Sequence, residues 1–163
     1  MSGLASDLFF MQQAIRLAWE AMERGDVPVG AVVSGGESVL GWGSNRKELD
    51  PTAHAEVQAI RMAAEKLGRW NLRDCALYVT LEPCPMCAGA CVNARVGRVV
   101  FGAADPRAGA GGSLYNILRD TRLNHRCEVR AGLLAEECAG LLREYFLRRR
   151  VAKGRLRGGL SLS

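Results

Sequence analysis

Residues 76–103 read ALYVTLEPCPMCAGACVNARVGRVVFGA, and this stretch decides the fold class. Ala76 to Leu81 is a short apolar run with the make-up of a buried strand. Pro83-Cys84-Pro85 opens a helix that reaches about Ala94, because proline suits the first helical turn. Arg98 to Ala103 is another strand, and Cys127 to Ala131 is the last one. More than twenty residues, 104–126, separate these two. A tight antiparallel hairpin needs about two to five. A crossover that contains a helix fits a parallel pair better, and Leu114 to Leu118 is the short helix expected there, after a flexible Gly109–Gly112 loop.

Upstream, Leu8, Met11, Ile15, Ala18 and Met22 recur at helical steps. The spacing predicts a helix that Ser6 caps and Gly25 stops. Val27–Val33 and Val39–Trp42 flank the turn signal Ser34-Gly35-Gly36-Glu37 and read as a hairpin. A polar loop from Ser44 to Thr52 leads to a helix over His54–Leu67, ended by Gly68. The final helix runs from Ala135 to about Arg150, and Gly154 onward reads as a flexible basic tail. The whole reads as an α/β sheet layered with helices, in one domain of residues 1–153 with a 154–163 tail.

At 163 residues and 48% hydrophobic, the chain is globular and long enough to bury a core without disulfide staples. Its +5 net charge is local: from Arg143 onward there are seven basic residues against Glu144, so the body is near neutral. That excludes a uniformly basic, histone-like chain and suggests a polyanionic partner for the tail. No apolar run approaches the ~20 residues of a membrane helix. Asp7 precedes the first basic residue, Arg16, so a secretory leader is not expected. The expected location is cytoplasmic, with the six cysteines as thiols rather than a disulfide framework.

The chemistry is concentrated in His54-Ala-Glu56 and Pro83-Cys84-Pro85-Met86-Cys87. One imidazole and two thiolates suit zinc, and three protein ligands leave a fourth position for water. Cys84 and Cys87 are three apart at a helix start and face one way, where the helix dipole favours thiolates. His54 and Glu56, two apart, converge only if the helix begins between them and the site lies off its end. Glu56 is then a candidate proton shuttle for a water whose pKa zinc brings toward ~7. Each piece has a plainer reading. His54 could cap a helix, Glu56 could be a solvated first-turn acid, and the Cys-x-x-Cys could be a redox pair or half of a structural zinc site completed by Cys91. The joint pattern matches the zinc-deaminase signature.

With these motifs the chain resembles the bacterial tRNA-specific adenosine deaminases, within the cytidine-deaminase-like superfamily, from about Met11 to Arg150. The carrying segments are Val27-Pro-Val-Gly-Ala31, Asp50-Pro-Thr-Ala-His-Ala-Glu56, residues 77–90, Gly97–Ala103, Ala110-Gly-Gly-Ser-Leu114, Leu123-Asn-His-Arg126 and Tyr145–Arg150. The resemblance implies a three-layer α/β/α fold with a five-stranded mixed sheet whose last strands are parallel. It implies zinc, one per subunit, on His54, Cys84 and Cys87, with Glu56 as general acid/base. The implied reaction is hydrolysis of adenosine to inosine, by hydroxide attack on C6, at wobble position 34 of tRNA-Arg(ACG). Asn45 and the Ala55 backbone N–H would meet the base, although by type alone Asn45 could equally be a turn residue. Glu82 and Pro83 would line the pocket rim or shape its turn, and Asp105 would sit in a nucleotide-facing loop. Tyr145, Phe146, Arg149 and Arg150 would grip the tRNA anticodon stem-loop by stacking and charge. Alternatively, those aromatics seal the core beneath solvated arginines, or both readings hold, with one aromatic packed and the other reaching out within one turn. A homodimer is also implied. The segment between Asn45 and Asp50 departs from the family pattern in being shorter than in some relatives. Two rivals stand beside this reading: a deaminase of free bases or nucleosides, and a zinc-stabilised RNA-binding module without catalysis.

Overall fold

Alternation along the strands sends successive side chains to opposite faces of one sheet. The computed structural model describes residues 3–48 and 50–158. Its elements are α1 (Gly3–Glu23), β1 (Gly30–Gly35), β2 (Ser38–Ser44), α2 (Ala55–Leu67), β3 (Cys75–Leu81), α3 (Pro85–Asn93), β4 (Arg98–Ala103), β5 (Glu128–Ala131) and α4 (Ala135–Gly158). The sheet order is β2-β1-β3-β4-β5. β1 is antiparallel to both its neighbours, whereas β3–β4 and β4–β5 are parallel. Ala31, Val33, Leu77, Val79, Val99 and Phe101 join α2 and α3 in one buried cluster. Val32, Tyr78 and Val100 join α1 and α4 in the other. The result is the expected three-layer α/β/α arrangement.

Two close approaches set the site's position. A Cβ on Gly41 would lie 2.1 Å from the Ala59 carbonyl oxygen, and one on Gly43 would lie 2.6 Å from that of Ala55. Only glycine lets α2 sit this near β2, and α2 carries the His54 end of the site. On the other face, the buried Asp7 carboxylate accepts from Arg98 (2.7 and 2.8 Å), Arg130 (2.7 Å) and the Tyr78 hydroxyl (2.7 Å). It ties α1 to β3, β4 and β5.

Several boundaries differ from the sequence reading. α1 begins at Gly3, ahead of the expected Ser6 cap. The hairpin turn narrows to Gly36-Glu37, because Ser34 and Gly35 still pair with Val39 and Ser38. The helix expected at Leu114–Leu118 is absent. That segment turns back on itself, with a Gly111–Asn116 bridge, and the Leu114 and Tyr115 N–H groups donate to the Gly109 carbonyl. The crossover packs through buried Ala110 and Leu118 instead. α4 continues past Arg150 and Gly154 to Gly158, so the tail expected to be flexible from Gly154 is helical that far. A single interior glycine costs only about 1 kcal/mol relative to alanine. Residues 159–163 of that tail lie outside the described residues. No helix among the described residues is long and apolar enough to cross a membrane.

Candidate active site

Two helix N-termini meet at one end of the sheet. His54 precedes α2 in extended conformation (φ −72°, ψ 151°), and Cys84 precedes α3 in the same way (φ −71°, ψ 172°), with Pro85 opening the helix. Because α2 starts immediately after His54, the imidazole and the Glu56 side chain can approach the same point. Asp50 helps to set that start by accepting from both the Thr52 N–H (2.8 Å) and the Thr52 hydroxyl (2.7 Å).

His54 Nδ1 lies 3.6 Å from Cys84 Sγ and 3.5 Å from Cys87 Sγ, and the three ligand atoms lie within 4.8 Å of one another. Tetrahedral zinc, with bonds of about 2.3 Å to sulfur and about 2.0–2.1 Å to nitrogen, sets a nitrogen–sulfur edge of about 3.5–3.6 Å. The donor set and its spacing therefore fit that metal. Cys91 is buried one turn further along α3 and is not part of this group, which speaks against a structural four-ligand site. The Cys87 thiol donates to Cys84 and, with help from His54, pulls the Cys84 thiol down to about 4 against the effect of burial. The same bond and burial push Cys87 up. A metal that takes both sulfurs displaces the shared proton. His54 is raised, first by its bond with Cys84.

Glu56 is 3% exposed, and its Oε2 is buried without a hydrogen-bond partner. Burial pushes its carboxyl up to about 7. A buried polar atom left unpaired costs about 1–3 kcal/mol, so this oxygen is suited to a polar group brought by metal or substrate. A carboxyl that titrates near neutrality can both take and return a proton.

Around this centre the expected site residues have distinct placements. Asn45 is buried, and its Oδ1 accepts from the Ala55 N–H at 3.0 Å. The Ala55 N–H, expected to meet the base, is thus hydrogen-bonded to Asn45 in this structure. Glu82, expected to line the rim or shape its turn, is buried and holds the following loop. Its Oε1 accepts from Asp105 N–H (3.0 Å) and the Ser113 hydroxyl, and its Oε2 accepts from Gly111 N–H and Ser113 N–H (both 3.0 Å). Burial would raise its carboxyl, but the bonds from Ser113, Asp105 and Gly111 prevail and hold it below the ordinary range. The Pro83 carbonyl accepts from Ala110 N–H at 2.7 Å. Asp105 Oδ1 accepts from the N–H groups of Arg107 (3.0 Å) and Ala108 (3.2 Å). Glu82, Pro83 and Asp105 thus fasten the 105–113 loop next to Cys84.

On α4 the two aromatics divide as the sequence allowed. Tyr145 is 5% exposed and packs in the core, and its hydroxyl donates to the Gly25 carbonyl (3.4 Å) and accepts from Arg149 (2.8 Å). The Arg149 guanidinium lies 5.6 Å from the Tyr145 ring centroid. Phe146 is 50% exposed, and Arg150 is exposed beyond it. Arg143 and Arg148 pair with Glu136 and Glu144. Sequence reading missed Arg24, Asp26, Gln58 and Ser113. Arg24 donates to Ser44 Oγ (2.7 Å) and the Asn45 carbonyl (3.3 Å), and Gln58 Nε2 donates to the Ser44 (2.6 Å) and Ala53 (3.0 Å) carbonyls. No local pattern announces these bonds.

Residues 5–150 match the MafB19-like deaminase family. The tRNA-specific adenosine deaminase of Bacillus subtilis (strain 168) is 45% identical over 160 residues, which span 97% of this chain and 99% of that protein. The chain belongs to the tRNA-specific adenosine deaminase family. Among solved structures, one from studies of A-to-I editing by tRNA:A34 deaminases at the wobble position of transfer RNA is similar at TM-score 0.79 and 43% identity, over 82% of this chain and 99% of that one. Guanine deaminase from Nitrosomonas europaea is similar at TM-score 0.72 and 27% identity, over 83% and 82%. As a deaminase family member, the chain has the family's mixed five-stranded sheet and a His/Cys/Cys group able to bind metal.

Proposed function

We propose that this protein converts adenosine to inosine in tRNA, at wobble position 34 of tRNA-Arg(ACG), with one zinc per subunit on His54, Cys84 and Cys87. The observation that carries the chemistry is the buried, unpartnered Glu56 Oε2 beside that ligand set. Zinc, when bound, polarises a water and brings its pKa toward ~7. Glu56 takes one proton from the water that adds to C6 and passes it to the purine ring nitrogen, then takes the second from the new C6 hydroxyl and passes it to the departing amine, so that it is again ionised as ammonia leaves. Asn45, with Oδ1 fixed on Ala55 N–H, offers its amide nitrogen to the base. The loop fastened by Glu82, Pro83 and Asp105 forms one wall. Phe146 and Arg150 reach outward for the anticodon stem-loop, and Tyr145 holds Arg149 in place.

The likeness to tRNA-specific deaminases over nearly the whole chain supports RNA over a free base, as does the charge gathered on α4. A single domain over residues 1–153, a homodimer and a cytoplasmic location belong to the same reading. Four substrates assayed in parallel test it: an ACG anticodon stem-loop, free adenosine, guanine and cytosine. Inosine in the stem-loop is expected. Ammonia from a free base with none from the stem-loop overturns the tRNA substrate and leaves a deaminase of small molecules.

A further inference from the structure

The loop after β2 carries exposed Arg46, Lys47 and Glu48, none of which the reaction uses. Its backbone is nevertheless held at three successive residues. Asn45 N–H donates to the Val29 carbonyl (3.1 Å), Arg46 N–H to the Ala53 carbonyl (3.0 Å), and Lys47 N–H to Asp26 Oδ2 (2.8 Å). The Ala53 bond places the loop directly beside the residue that precedes His54. Asp26 is buried, and its other oxygen accepts from Val27 N–H at 2.9 Å. The same turn carries Arg24, which grips Ser44 and Asn45, and Gly25, whose carbonyl receives Tyr145 of α4. Three consecutive residues therefore join the loop to the helix expected to meet RNA.

A charged acceptor committed to the N–H of an exposed lysine fixes where that side chain starts. Among the described residues, Lys47 has no acidic partner within ion-pair distance. Glu48 offsets one of the loop's two cations, which leaves the loop positive. When a base is drawn out of an RNA loop into a pocket, its flanking phosphates stay within one nucleotide of the pocket mouth. A lysine without a partner at that mouth meets a phosphate.

We propose that Lys47 binds the RNA phosphate adjoining the target nucleotide and that Asp26 is the positioning residue that fixes Lys47 for this contact. The inference rests on the tRNA reading above. Its test uses the Glu56→Ala protein, which keeps the site without turnover, and an ACG stem-loop titrated over a range of salt. Adding Lys47→Gln should weaken binding about tenfold, the order of one charge-assisted contact. It should also make the slope of log K against log salt shallower by about 0.7, the share of one phosphate in single-stranded RNA. Lys47→Arg should restore both. Asp26→Asn should weaken binding by less, and the Asp26→Asn, Lys47→Gln pair should bind no worse than Lys47→Gln alone. A parent protein that binds the stem-loop, with a Lys47→Gln variant of unchanged affinity and slope, overturns this inference and spares the tRNA reading. Additive losses in the double variant overturn the role of Asp26. A parent that does not bind the stem-loop overturns both readings.

Discussion

Replacing Glu82 by glutamine removes one carboxylate oxygen from a site where both are in use. Oε1 serves Asp105 N–H and Ser113, and Oε2 serves Gly111 N–H and Ser113 N–H. Glutamine has one acceptor oxygen, so its NH2 must face donors. The least costly orientation puts the carbonyl toward Gly111 and Ser113 and turns the NH2 toward Asp105 N–H and the Ser113 hydroxyl, which can rotate to accept. One charge-assisted bond is then lost outright, two become neutral, and two N–H groups oppose each other. At about 1.5–3 kcal/mol per charged bond, offset by the easier burial of an amide, the net cost is about 2–4 kcal/mol. It should fall on the 105–113 loop, which has no helix of its own, before it falls on the sheet. Urea unfolding should show the loss, and amide hydrogen exchange should speed up across residues 105–113 while bound zinc remains. Stem-loop KM should rise. A variant within about 0.5 kcal/mol of the parent, with unchanged exchange in that loop, would refute the clamp.

Asp7→Ala should cost about 2–4 kcal/mol in urea unfolding, because Arg98, Arg130 and Tyr78 lose a common buried acceptor. The Arg98 guanidinium, with Tyr78 and Arg130, holds the Asp7 carboxyl at about 2 against an ordinary 3.8. Its stabilisation of about 2 kcal/mol is complete above pH 3.8 and disappears as pH falls through about 2, so the parent should lose an acid-dependent increment that Asp7→Ala lacks. Tyr145→Ala should destabilise by about 3 kcal/mol, whereas Phe146→Ala, half exposed, should change stability by less than about 1 kcal/mol and weaken stem-loop binding; equal effects of the two on stability would contradict their placement. Gly41→Ala forces a methyl to 2.1 Å from the Ala59 oxygen, so α2 must lift. Loss of about 3 kcal/mol and weaker zinc retention are expected, and a variant with normal zinc content would show that α2 moves without consequence for His54.

Much of this arrangement is legible in the sequence, for identifiable reasons. α2 is punctuated at both ends, by Asp50-Pro51 upstream and by Gly68 in the left-handed conformation at φ 65°. β4 runs from Arg98 to Ala103 as read, and the long gap before β5 predicts the parallel pairing. The metal-ligand group follows from Pro-Cys-x-x-Cys and His-x-Glu because each half sits at a helix start. Other features are set by partners distant in sequence. Leu114–Leu118 has helix-compatible residues, but the Leu114 and Tyr115 N–H groups turn back to the Gly109 carbonyl, and Gly111 and Ser113 just before them are held by Glu82, about thirty residues earlier. Asp7 looks like a surface acid until β4 and β5 bring Arg98 and Arg130 to it. The Arg24–Asp26 turn acts on residues about twenty positions away, so no local pattern marks it. The family resemblance implied Ala55 N–H as a base contact, and only the fold shows that Asn45 bonds it.

The most direct test of Glu56 as proton shuttle beside a His54/Cys84/Cys87 zinc is to measure zinc content and inosine formation on the same samples of parent and Glu56→Ala protein. About one zinc per chain in both, with inosine formed in the ACG stem-loop by the parent alone, is the expected result, because Glu56 is not among the three ligands. A Glu56→Ala protein that still forms inosine, or a parent that does so without zinc, would contradict it.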